Sequence, residues 1–261
     1  HIPNGFDKNY EGGSGATLAA ATDEADCTLS NSTVHYFYNG AWSPQNPFSF
    51  TWENSYKAIA EANNFLEKLD KIDLSNYESN NDYAAMKAKF ELFEYQVRYL
   101  RAYFYFELVR AYGAVPFTLK TLSPAEANQM VRRPALEIMD WIVDEMDEIA
   151  EYLPISYTTE LNQDIGRATR PMCLALKART LLYKASPLFN TTGNREWWLD
   201  AARANYDVIR YAGEWGIQLG NYADIWGPNN GDGSEIIMAS KQGSISTWAV
   251  SYTHLRAHET P

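Results

Sequence analysis

Residues 166–190, GRATRPMCLALKARTLLYKASPLFN, constrain the fold of this chain more than any other stretch, because they join a helix start, an apolar stripe and an abrupt stop. Thr169 is placed to act as N-cap, which puts Pro171 in the first turn, where its missing N–H had no intrahelical acceptor to lose. Met172, Leu176, Arg179 and Tyr183 recur at helical spacing with Ala175, Ala178 and Leu182 beside them. The spacing predicts a small, apolar face that a second helix can approach closely. Pro187 ends the run near Ser186, since the residue before a proline is pushed out of the α region.

Residues 197–211, WWLDAARANYDVIRY, repeat the pattern through Trp198, Ala201, Ala202, Tyr206 and Ile209, with Gly213 as a C-cap candidate. Two amphipathic helices with alanines at their contact positions are similar to a tetratricopeptide unit, although the full motif is absent. Further helices follow from the same reasoning. One runs from about Thr51 to Leu69, with Ile59, Asn63, Leu66 and Leu69 near one face. A long one runs from about Asp82 to Tyr112 on a stripe of Phe90, Phe93, Val97, Leu100, Phe104 and Leu108, capped by Gly113 and stopped by Pro116. Glu94 and Arg98 can pair across a turn of it, and Arg101, set among aromatics, reads as an internal brace. Pro134 opens another helix through Ile138, Trp141, Ile142, Glu145, Ile149 and Tyr152, whose second face, with Asp140, Asp144, Asp147, Glu148 and Glu151, reads as solvated. Residues 227–235, GPNNGDGSE, offer oxygen side chains but lack the acidic spacing of a calcium loop and read as a turn, followed by a short strand or extended segment over 235–239. The fold class is therefore all-α: tetratricopeptide-like helix pairs forming a scaffold, with long irregular loops and minor short strands.

With 261 residues, 46% hydrophobic, and no stretch of linker composition, the chain reads as one domain. Residues 1–250 form a partial helical domain. Residues 251–261, SYTHLRAHETP, continue no preceding pattern and read as a non-native tail. No apolar run approaches the roughly 18 residues needed to span a bilayer, so membrane attachment would come through a lipid anchor or a partner. A net charge of −11 argues against nucleic-acid binding, which needs clustered Lys and Arg. Cys27 and Cys173 lack metal-type spacing, Cys173 reads as a small buried hydrophobe, and nothing calls for a cofactor. Eighteen tyrosines and eight tryptophans are many. Their flat faces and polar tips suit surfaces that stack on sugars while staying wet.

Catalysis would need a nucleophile or a tuned acid and base. Asp23, Glu24 and Asp26 form an obvious carboxylate cluster, but a glycosidase draws its two carboxyl groups about 5 to 9 Å apart, usually from distant segments. His35 has no recognisable base partner, and no triad, phosphate loop or zinc motif is present. Binding without chemistry fits better. The loop over residues 23–42 offers Asp23, Glu24 and Asp26 as acceptors, then Tyr36, Tyr38, Asn39 and Trp42 beside the turn signals Asn39-Gly40, Ser43-Pro44 and Asn46-Pro47. Trp42 is either a stacking platform for a sugar or a plug on the following helix.

Four stretches in fixed order carry a family resemblance: residues 52–66 (WENSYKAIAEANNFL, with Tyr56, Ile59, Ala62 and Asn63), 98–116 (RYLRAYFYFELVRAYGAVP), 166–190 and 233–238 (GSEIIM). Together they resemble the SusD/RagB family, surface lipoproteins that capture glycans beside TonB-dependent transporters in the outer membrane. The resemblance implies a non-catalytic subunit that binds oligosaccharide or polysaccharide nutrients at the cell surface and delivers them to a SusC-like, TonB-dependent transporter. It implies ligand contacts from loops after an acidic Asp-Glu element, here Asp23-Glu24, and others from a C-terminal half. It also implies that this chain is a fragment lacking the lipid-anchored N-terminal region and that C-terminal half. Two alternatives stay open: an all-α glycan-degrading enzyme, and a helical-repeat adaptor that binds protein or peptide.

Overall fold

In the computed structural model, which describes residues 23, 33–37, 39–43, 45–46, 50–157, 166–221 and 235–238, order comes almost wholly from helices. They are α1 (Phe50–Leu69), α2 (Tyr83–Glu91), α3 (Phe93–Tyr112), the short α4 (Pro124–Ala127), α5 (Ala135–Ala150), α6 (Arg170–Ala185) and α7 (Arg195–Ala212). Two two-residue strands, β1 (Val115–Pro116) and β2 (Arg132–Arg133), pair antiparallel, Val115 opposite Arg133. The chain divides into two units, residues 1–54 with 240–261, and residues 55–239.

In the larger unit α3 packs on α5, α5 on α6, and α6 on α7, the serial stacking expected of tetratricopeptide-like pairs. The long helix expected from Asp82 to Tyr112 is broken at Leu92, which ends α2 and precedes α3. Toward its C-terminal end α3 is buried on most sides, from Phe104 through Val109, and not along one stripe. Val97 and Leu100 are only half-buried, whereas Gln96, Tyr99 and Arg101 are buried. Ile138, Met139, Ile142, Met146 and Ile149 of α5 complete the core, each side chain contributing about 1.5–3 kcal/mol by leaving water. Gly113 caps α3 with φ +70°, its N–H donating to Val109 O at 2.9 Å.

The start and stop of α6 are as the sequence predicts. Thr169 Oγ1 accepts from Met172 N, Pro171 sits in the first turn, and Ser186 leaves the helix with ψ 152° before Pro187. Its buried face is rotated from the expected one: Met172, Cys173, Leu176, Ala178 and Thr180 are buried, while Arg179 and Leu182 are exposed. Thr180 is tolerated there because its hydroxyl donates to Leu176 O at 2.8 Å. Ala178 and Ala201, each 2% exposed, let α6 and α7 approach so closely that Asn205 Nδ2 reaches Ala178 O. Ala201 is the one buried residue of α7; Trp198, Tyr206 and Ile209, which the pattern assigns to a core face, are exposed. Gly213 stands at the end of α7, but the positive φ belongs to Gly216, where Ile217 N donates back to Ala212 O.

The acidic face of α5 is solvated, as expected, with Asp140, Asp144, Asp147, Glu148 and Glu151 all exposed. Three of these acids also have partners: Asp147 binds Lys177 at 2.6 Å, Asp140 binds Lys184, and Glu148 binds Arg98 at 2.9 Å. Residues 235–238 form no strand: Glu235 lies in a turn, and the three residues after it have no regular secondary structure. Asn229, Asn230, Asp232, Ser234, Cys27 and the 251–261 tail lie outside the described residues.

Candidate ligand-binding site

The 23–42 loop is described at Asp23, at residues 33–37 and from Asn39 onward; Glu24, Asp26 and Tyr38 lie outside the described residues. Residues Thr33–Phe37 make a 3₁₀ turn where the sequence suggested irregular chain. His35 O accepts from Asn39 N at 3.0 Å, closing that turn onto the next. Asn39 Oδ1 accepts from Ala41 N at 2.9 Å, and Gly40 takes φ +75°, the left-handed conformation that Asn-Gly pairs favour. Ser43 and Asn46 then bond each other's backbone in both directions, and Asn46 Nδ2 reaches back to Ala41 O at 3.0 Å.

These successive turns set Trp42 against the preceding 3₁₀ turn. Its ring meets Tyr36 at 5.2 Å and 82°, and Phe37 at 5.9 Å and 74°, two near-perpendicular contacts each worth about 0.5–1.5 kcal/mol beyond area burial. Trp42 and Tyr36 are half-buried, so the indole is oriented by its neighbours yet still reachable. Asn39 is exposed, with its amide oxygen engaged in holding the turn, and Asp23 is exposed in a turn of its own. Of the residues singled out from sequence, Tyr36 and Trp42 are thus in contact, with Asn39 three positions before the indole. Phe37, 40% exposed, belongs to the same cluster, and an apolar ring in a polar loop is its only signal in the sequence. Among the described residues no group of three or more His, Cys, Asp or Glu could hold a metal ion. No helix among them is long and apolar enough to cross a membrane.

The larger unit has its own polar framework, in which Asn63, Arg98, Arg101 and Tyr105 from two of the stretches that carry the resemblance bond residues outside them, and Tyr56 of the first stretch bonds Pro116 of the second. Arg98 holds Glu145 through two bonds of 2.8 Å, and Arg101 bonds Glu145 at 3.4 Å and Asn63 Oδ1 at 3.1 Å, with its guanidinium 5.8 Å from the Trp141 ring. Burial lowers the Arg101 pKa, while the Glu145 bonds raise that of Arg98. Asn63 Nδ2 donates to Thr118 O and Lys120 O. Tyr105 OH bonds both Thr118 N and Thr118 O at 2.8 Å, and Tyr56 OH bonds Pro116 O at 2.7 Å. One loop after α3 is thereby fixed to α1 and α3 by side chains whose spacing in sequence gave no hint of a shared partner. Burial pushes the Tyr105 hydroxyl and the Cys173 thiol up to about 12 each, which fits structural roles for both.

A helical scaffold whose helices stack in chain order defines a tetratricopeptide-like architecture. Comparison with known proteins gives it a family. A SusD-like family model, described as starch-binding associating with outer membrane, matches residues 4–182, and the chain belongs to that family. It is similar to SusD-like protein P25 of Formosa agariphila, 26% identical over 72% of this chain and 31% of the relative. Among solved structures it is similar to a SusD-like protein of Bacteroides fragilis (TM-score 0.61, 26% identity, 80% of this chain and 36% of that one). It is also similar to a SusD-like carbohydrate-binding protein of the same species (TM-score 0.57, 25% identity, 75% and 33%). The chain spans about a third of the length of these relatives.

Proposed function

We propose that this chain is part of a non-catalytic glycan-binding protein of the outer-membrane surface, which holds oligosaccharide for a TonB-dependent, SusC-like transporter. Membership of a starch-binding, outer-membrane-associated family and likeness to a carbohydrate-binding relative support the ligand class. A lipid anchor on the whole protein would keep it at the cell surface. The observation that carries the reading within the chain is the oriented Tyr36–Trp42 pair beside the Asn39-Gly40 turn. A half-buried indole offers the C–H face of a pyranose an apolar partner, and Asp23, Glu24, Asp26, Tyr38 and Asn39 are the proposed hydroxyl partners.

The test is a glycan-array screen of the chain followed by calorimetric titration of the best neutral oligosaccharide. Trp42→Ala is expected to weaken that binding at least tenfold, about 1.4 kcal/mol, with an unchanged circular dichroism spectrum. Unchanged affinity would remove Trp42 from the site. Release of reducing sugar by the purified protein alone would support the glycan-degrading enzyme instead.

A further inference from the structure

The larger unit contains a recess of about 580 Å³ where the end of α1 meets the junction of α2 and α3, within the range of small-ligand sites. Phe90, Tyr95 and Tyr152 supply aromatic surface to it, and Asp70, Glu91 and Glu94 supply carboxylates. The Tyr95 and Tyr152 rings lie parallel, 4.3 Å apart at 1°, and Tyr152 is 54% exposed. Leu92, the residue that breaks α2 from α3, also lines the recess, so the break brings Glu91 and Glu94 to a common opening.

Among the described residues lining it there is no Lys, Arg or His. Arg98 approaches Glu94 at only 3.7 Å, while Glu145 holds it at 2.8 Å. Such a lining accepts hydrogen bonds far better than it donates them, and its three carboxylates, offset among the described residues only at Glu94 by an arginine shared with Glu145 and Glu148, favour a cation. Flat aromatic walls favour a ligand with an apolar face, and attract a cation placed near them. We propose that this recess binds an amine-bearing pyranose: the sugar ring lies against the tyrosine pair and its protonated amino group against Asp70, Glu91 and Glu94. The site uses no residue of the smaller unit. It rests on the glycan-binding reading for the choice of a sugar ring, and the charge of its ligand comes from the recess itself.

Calorimetric titration with a glucosamine tetramer, an N-acetylglucosamine tetramer and tetralysine tests it. The glucosamine tetramer is expected to bind at least tenfold more tightly than either of the other two. Asp70→Asn combined with Glu91→Gln, both exposed positions, is expected to weaken it at least tenfold, and Tyr152→Ala to a similar extent. Equal affinity for the acetylated tetramer, tetralysine binding as tightly as the amino sugar, or no loss in the Asp70/Glu91 variant would each overturn the proposal. Competition separates the two sites. A neutral glucan oligosaccharide at saturating concentration is expected not to displace the glucosamine tetramer, and displacement would overturn the recess as the place of binding. Titration of the neutral glucan alone reports on the Trp42 loop, so failure at either site is read separately.

Discussion

Glu145 is the residue on which most of the buried charge of the larger unit converges. Its two oxygens receive Arg98, and Arg101 reaches the same carboxylate from the next turn of α3. Removing one member of such a group leaves the others charged in a medium that cannot solvate them, at a cost of about 3–5 kcal/mol. Glu145→Ala is therefore expected to lower the urea-unfolding free energy by about that much. Double-mutant cycles with Arg98→Met should show strong coupling, because the second change removes one of the stranded charges. A loss below about 1 kcal/mol for Glu145→Ala would count against the network. That Arg101 is an internal brace was legible from its aromatic neighbours. Its partners were not, since Glu145 is 44 positions away and Asn63 is 38.

At the scale of the element, local chemistry decides ends, and tertiary contact decides faces. Thr169, Pro171 and Pro187 delimit α6 because capping and proline geometry act over two or three residues. Thr169→Ala is expected to cost about 1 kcal/mol in thermal or urea unfolding. The same logic governs α4, where Ser123 and Glu126 form a reciprocal capping box that was present in the sequence as Ser-Pro-Ala-Glu. Faces were harder to read. The periodicity of α7 identifies Trp198, Tyr206 and Ile209 as one apolar stripe without saying what covers it, and in the structure it is exposed. Asp140 and Asp147 of α5 are paired by lysines from α6, which no spacing within α5 can reveal. The Trp42 loop was legible only as turns and aromatics; that Tyr36 and Phe37 both close on the indole depends on a 3₁₀ turn with no strong signature.

Carboxylates bonded by backbone N–H groups or arginine also give these elements an acid sensitivity. Bonds from Thr121 N to Glu67 and from Ser123 N to Glu126 hold those carboxyls below the ordinary range, and Arg98 does the same to Glu148. A lowered folded-state value means that the stabilisation is complete above the ordinary carboxylate range and is lost as pH falls through the lowered values. Replacing all three by Gln should flatten the fall in unfolding free energy between about pH 5 and pH 2. An unchanged slope over that range would show that other carboxylates dominate.

For the whole molecule, a net charge of −11 bears on which ligands salt can influence. Stacking of a neutral sugar on Trp42 has no Coulombic component to screen. Its affinity should be the same within about twofold between roughly 50 and 500 mM salt, a range over which the Debye length shrinks several-fold. Binding of a protonated amino sugar to Asp70 and Glu91 should weaken over the same range. Titrations at the two salt concentrations check both, and a neutral glycan lost at high salt would show a Coulombic contribution to binding that stacking on Trp42 does not supply.

Arg170 belongs to two helices at once. Its own N–H donates to Pro154 O, its guanidinium donates to Ala150 O and Glu151 O at the end of α5, and its backbone begins α6. The last turn of one helix therefore cannot fray without disturbing the first turn of the next. In native-state hydrogen exchange, amides on either side of residues 151–169 should report one shared opening event, making α5 and α6 a single cooperative unit despite the chain between them.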